Sequence, residues 1–71
     1  DLSMYYPSGK LLQTEKYVNG KEEGEVIEYY ESGAIKEKAH FINDKQEGEH
    51  LFYDEKGNLT KTEIYKNGIK Q

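Results

Sequence analysis

Residues 29–52 read "YYESGAIKEKAHFINDKQEGEHLF". Aromatic and β-branched residues lie here between two turn-forming clusters, "ESG" at 31–33 and "NDKQE" at 43–47. That is the pattern of a β-hairpin. Moved 24 residues toward the N-terminus, the stretch falls without a gap on "YYPSGKLLQTEKYVNGKEEGEVIE", residues 5–28. Moved 24 toward the C-terminus, it falls on "YDEKGNLTKTEIYKNGIKQ", residues 53–71. Gly9, Gly33 and Gly57 coincide, as do Asn19, Asn43 and Asn67. Tyr17, Phe41 and Tyr65 match, as do Leu11, Ile35 and Leu59, and Tyr5, Tyr29 and Tyr53. Gly24 and Gly48 are each followed by glutamate. Self-similarity at a fixed period marks a repeat architecture.

The turns alternate between two kinds. "PSG", "ESG" and "EKG", at 7–9, 31–33 and 55–57, suit three-residue hairpin loops ending on a left-handed glycine. Pro7 falls where its fixed φ favours a type I turn. "NGKEE", "NDKQE" and "NGIKQ" form the other kind, with Asn19-Gly20 making the turn and Gly24 starting the return strand. The fold class expected is all-β: a single-layer antiparallel meander of about six strands built from three 24-residue hairpin repeats. The repeats are expected at about 4–27, 28–51 and 52–71, as one array within 1–71.

A loop at 31–33 pairs Tyr30 with Ala34 and Tyr29 with Ile35. Strand side chains alternate in direction, so Ile27, Tyr29, Ile35, Ala39 and Phe41 are expected on one face, joined by Leu51 and Tyr53. The other face receives Lys16, Glu28, Lys36, Lys38, His40 and Thr62, together with Val18, Val26, Tyr30, Ile42, Phe52 and Ile64. No helical stretch is present to cover it.

Composition narrows the partners. The chain has 71 residues, 34% apolar and 34% charged, which allows one thin domain. Net charge is −4, and all ten basic residues are lysine. Without arginine forks or a basic block, nucleic acid is not an expected partner, and membrane contact is disfavoured. With no cysteine, disulfides and thiolate metal sites are excluded. No apolar run approaches the roughly 20 residues of a membrane span. The opening "DLSM" reads as the interior of a longer protein, which leaves localisation and any targeting segment open.

Chemical motifs are few. "NGKEEGE" at 19–25 lacks the Ser or Thr that follows lysine in a phosphate loop, and its glutamates would repel phosphate. His40 and His50 are the only histidines, and the parity above sets them on one face, where a two-histidine metal site with Glu25 or Glu49 is conceivable. Neither recurs in the other repeats, so solvated histidines are expected and no metal site is assigned. Glu22, Glu23, Glu25, Glu47 and Glu49 read as a solvated charged rim that discourages edge aggregation. Ser8 and Ser32 fill turn positions. No catalytic residue and no cofactor is implied.

The pattern resembles the membrane occupation and recognition nexus (MORN) repeat, in its bacterial variant form. Tyr5, Gly9, Leu11, Tyr17, Asn19, Gly20, Lys21 and Gly24 carry the likeness in the first copy. Gly33, Ile35, Phe41, Asn43, Lys45 and Gly48 carry it in the second, and Tyr53, Gly57, Leu59, Tyr65, Asn67 and Gly68 in the third. The resemblance implies a curved, elongated sheet of hairpins and roles in scaffolding, dimerisation and protein binding. Bacterial variant-repeat proteins often carry the label of antitoxin components. The expected function is a non-enzymatic protein-binding module, with Tyr6, Tyr30 and Phe52 as contacts surrounded by Val18, Val26 and Ile42. The alternatives are a self-assembling segment, in which strands near 4–6 or 59–66 pair with further repeats or form a homo-oligomer, and a module that attaches to membranes or phosphoinositides.

Overall fold

A computed structural model describes all residues, Asp1–Gln71. The strands are β1 (Leu2–Tyr5), β2 (Leu11–Glu15), β3 (Tyr17–Val18), β4 (Lys21–Glu22), β5 (Gly24–Tyr29), β6 (Ile35–Ile42), β7 (Lys45–Gln46), β8 (Gly48–Tyr53), β9 (Leu59–Lys66) and β10 (Ile69–Lys70). The main sheet runs β1-β2-β5-β6-β8-β9-β10, with β7 paired to the end of β6, and β3–β4 form a two-stranded ribbon. Neighbouring strands are antiparallel. The fold is thus an all-β meander of hairpins. Its extents are 34 × 29 × 12 Å. A second packed sheet would add about 10 Å of thickness, so the shortest dimension admits one layer. Ala39 is the only residue with less than a tenth of its surface exposed.

Both turn families form as their chemistry dictates. In the short loops the N–H groups of Gly9, Gly33 and Gly57 donate to the carbonyls of Tyr6, Tyr30 and Asp54 at 2.8, 2.9 and 3.0 Å. Tyr30 N–H donates to Ala34 O at 2.8 Å, and Tyr29 stands opposite Ile35. At the other end of each hairpin, Asn19-Gly20, Asn43-Asp44 and Asn67-Gly68 all have positive φ. Positive φ at both central residues is the type I′ hairpin turn, whose twist matches that of the flanking strands. The residues after it, Lys21-Glu22 and Lys45-Gln46, are strand rather than loop.

A bulge recurs beside every short turn. Register shifts from Met4↔Gln13 to Tyr5↔Leu11, from Glu28↔Glu37 to Tyr29↔Ile35, and from Phe52↔Lys61 to Tyr53↔Leu59. Leu12, Lys36 and Thr60 are the extra residues. One extra residue reverses the alternation on its strand. The expected faces are corrected accordingly. Ile27, Tyr29 and Ile35 do share a face, but Lys38 stands opposite Ile27, and Ala39 stands opposite Val26 on the reverse side. Ala39 and Phe41 therefore leave the face expected for them and join Val26, Glu28 and Phe52.

Successive repeats are joined at both ends of their strands. The Tyr6 hydroxyl donates to Tyr29 O at 2.5 Å, and the Tyr30 hydroxyl to Tyr53 O at 2.7 Å. At the far end each type I′ turn sits on the preceding repeat. Asp44 N–H and Gly68 N–H donate to Glu22 O and Gln46 O at 3.0 and 2.9 Å. Asn43 N–H and Asn67 N–H donate to the carboxylates of Glu23 and Glu47 at 2.8 and 3.2 Å. Glu23 and Glu47 are thus acceptors of the joint, not members of a solvated rim. The tyrosine hydroxyls are half-buried donors whose removal strands a carbonyl. Tyr30→Phe is expected to cost about 1 kcal/mol of folding stability, read as a lower urea midpoint at unchanged slope.

Candidate functional site

One row of residues crosses all six long strands on the reverse face. Met4 stands opposite Gln13, Gln13 opposite Glu28, Glu28 opposite Glu37, Glu37 opposite Phe52, and Phe52 opposite Lys61. At the middle of this row, Glu28 and Glu37 face each other, an arrangement that is unfavourable for like charges. Their neighbours relieve it. Lys36 Nζ lies 3.6 Å from Glu28, and His50 Nε2 lies 3.0 Å from Glu37.

His50 is held from three sides. Its Nδ1 is 2.9 Å from the Gln46 side-chain amide nitrogen, and its ring stacks on Phe52 at 4.3 Å between centroids. The neutral tautomer that satisfies both partners accepts from Gln46 at Nδ1 and donates to Glu37 from Nε2. Lys61 lies over the far side of this cluster, 5.3 Å from the Phe52 ring.

Between these groups and the first repeat lies a trough of about 240 Å³. Val26, Ala39 and Phe41 form its apolar floor, and Glu15, Glu22, Glu28, Glu37, Gln13, Gln46 and His50 line it. Glu15 is fixed by the Gln13 amide and by the Tyr17 hydroxyl, which donates at 3.0 Å. That bond to a carboxylate is the main reason the Tyr17 phenol is pushed above its ordinary value. Burial, then the negative charges of Glu15 and Asp44, raise the Glu22 carboxyl. The trough is therefore a negatively charged recess with an oily base. Beside it Glu63 behaves oppositely. Lys70 at 2.9 Å and Lys61 at 3.0 Å hold its carboxyl down to about 2.

The six residues expected to form one contact surface are distributed. Val26 is in the trough floor, and Phe52 is on the same face beneath His50. Ile42, about half exposed, follows His40 on the opposite side, and Val18, also about half exposed, is on the β3–β4 ribbon. Tyr6 and Tyr30 lie at the short turns with their hydroxyls engaged by the next repeat. The two histidines are on opposite faces, His40 opposite Glu25 and His50 opposite Glu63, because the two-residue turn at Asn43-Asp44 pairs Ile42 with Lys45 and so sets even-numbered residues of β6 on the face of odd-numbered residues of β8. Glu15, Glu37, Gln46 and His50 were not expected in any site. Counting one unpaired residue after the Gly-ending turn moves Glu37 and Ala39 to the face of Val26, and reading Asn43-Asp44 as a two-residue turn sets Gln46 and His50 beside them.

The two shifted carboxyls give opposite pH effects. Glu22 has its folded value raised, so it weakens the fold above that value and not below the unfolded carboxylate value of about 4.3. Glu22→Gln is expected to raise the melting temperature at pH ~7, with the gain vanishing near pH ~4. Glu63 has its folded value lowered, so its contribution is complete above about 4.3 and is lost as pH falls through about 2. Glu63→Gln is expected to flatten the fall in urea midpoint across that acid window.

A family model described as the MORN repeat variant matches residues 2–19, 22–43 and 46–67. No curated protein and no solved structure matches the chain at a significant level. The matched segments span most of the sequence, and each ends on the asparagine that opens a type I′ turn. Three matches in series over a meander with one bulge and one tyrosine or aspartate joint position per repeat leave one assignment: the chain belongs to the MORN repeat variant family.

Proposed function

We propose that this chain is a protein-binding module that receives a partner on the reverse face of its sheet, over the acidic trough. Repeats of this family are in general non-catalytic modules that interact with proteins or membranes. The observation that carries the reading is a fixed, concave group of carboxylates over an apolar floor in a sheet with no second layer. Glu15, Glu28 and Glu37 are each held by a neighbour, so they offer charge without first having to be ordered. A lysine or arginine side chain suits such a recess, because its methylenes can lie on Val26 and Ala39 while its charge meets the walls. Phe52 and Tyr65 extend the surface with aromatic area. An antitoxin role would be one case of this activity, with a toxin as the basic partner. An anionic bilayer fits less well against a trough of carboxylates and a net charge of −4.

Paired affinity captures from the native cell test the proposal. One bait is the unaltered protein, and the other carries Glu15→Gln, Glu28→Gln and Glu37→Gln. The partner should be retained by the first and depleted at least tenfold on the second, and its binding to the first should weaken with added salt. Equal retention by both baits would place the contact elsewhere. Ile42→Asp, on the opposite face, should leave capture unchanged.

A further inference from the structure

The row that crosses the long strands on the reverse face has a pitch of its own. Gln13, Glu37 and Lys61 hold one position in three successive repeats, and the register sets them in line through Glu28 and Phe52. Two strand spacings, about 9.6 Å, separate each from the next. A segment that crosses the strands has to return to the sheet at that distance. A polyproline II helix turns once in three residues and about 9.3 Å, so over two repeats it falls out of step by about 0.6 Å. An α-helix comes back to one face after seven residues and about 10.5 Å, and over the same length it is out by about 1.8 Å. An extended strand repeats at about 6.7 Å and misses the middle position.

Aromatic rings accompany the same row. Phe52 stands between Glu37 and Lys61, with its ring stacked on His50 at 4.3 Å. The Tyr30 ring lies beneath Lys36, whose ammonium also reaches Glu28. Rings of this kind are where polyproline II segments rest in known recognition modes. The charges of the row can be shared with an occupant. Glu28 is opposite Glu37, so a guanidinium fork laid between them meets two carboxylates. Lys61 gives Glu63 one of its three N–H donors, and Lys70 holds Glu63 as well.

We propose that the segment received on this face is a proline-rich polyproline II helix that crosses the strands, with an arginine over Glu37 and an acidic residue three positions away over Lys61. The assignment rests on the docking face of the proposed function, and it adds the conformation and the charge order of the occupant. The arginine lies between Glu28 and Glu37 at the rim of the trough, and the prolines between the two charges lie on Phe52. Such a helix is ordered before it binds, so it loses little conformational entropy on docking. Only a spacing of three turns both charges toward the sheet. At a spacing of four the second charge is rotated away by a third of a turn.

Titration of the 71-residue chain with three end-capped peptides, followed by NMR, tests this. PPRPPEPP carries the charges three apart, PPRPPPEP has the same composition with the charges four apart, and GGRGGEGG keeps the first spacing on a flexible backbone. The first should bind about threefold more tightly than either of the others, with shifts at Gln13, Glu37, Phe52 and Lys61. Lys61→Glu should bring the first peptide down to the level of the second and leave the second unchanged, which also shows the variant to be folded. A first peptide that binds no more tightly than the second overturns the proposal. So does Lys61→Glu that weakens both alike. Equal binding of the proline and glycine peptides, lost with Glu15→Gln, Glu28→Gln and Glu37→Gln together, refutes the polyproline occupant while upholding the acidic docking face. Absence of binding by all three peptides also overturns the proposal, and the affinity captures then decide the docking face by themselves.

Discussion

The Tyr30 hydroxyl that reaches the carbonyl of Tyr53 joins two repeats that have no common interior. In a single-layer sheet a hairpin cannot bury its apolar side chains beneath another layer, and an isolated hairpin is at best marginally stable. Each repeat is therefore held by what its neighbour supplies along the strands. The tyrosine bond closes the joint at the short turns, and the stacked type I′ turns close it at the other end. Between them runs the ladder that sets the register. Stability in such an array is approximately a sum over repeats and their joints. Weakening one joint is thus felt by the repeats on either side of it.

This arrangement explains why the charged residues matter more here than their surface location suggests. With Ala39 alone buried, apolar transfer contributes little at any one position. Carboxylates then take structural tasks. Glu23 and Glu47 receive turn N–H groups, Asp54 shapes its own loop, and Glu63 collects two lysines. Others, such as Glu22, are held in the trough against their electrostatic preference. The acidic balance of the chain is divided between groups that hold the array together and groups that the fold keeps facing one recess.

The period and the turns were legible in the sequence because they depend on local chemistry. Asn-Gly at 19–20 and 67–68 specifies positive φ in two consecutive residues, and Gly33 ends a loop whose length fixes Tyr29 opposite Ile35. The site was not legible, because one extra residue and one turn length decide its faces. Lys36 has nothing in its identity that announces a bulge, yet its insertion moves Ala39 and Phe41 to the other side of the sheet. That insertion separated Val26 from Ala39, whereas His40 and His50 were expected together because parity was kept across 43–47, where a two-residue turn pairs Ile42 with Lys45. The Glu23–Asn43 contact was hidden differently, since it spans 20 residues and joins groups from different repeats.

The row across the reverse face has one more property. A perfect repeat would look the same to a partner displaced by one period, so binding would have no preferred position along the sheet. This chain removes that degeneracy. At the same site in successive repeats it carries Gln13, Glu37 and Lys61, and in the adjoining strands Met4, Glu28 and Phe52. Displacement by one repeat exchanges neutral for negative, or negative for positive. The backbone repeats like the divisions of a ruler, and these side chains number the divisions.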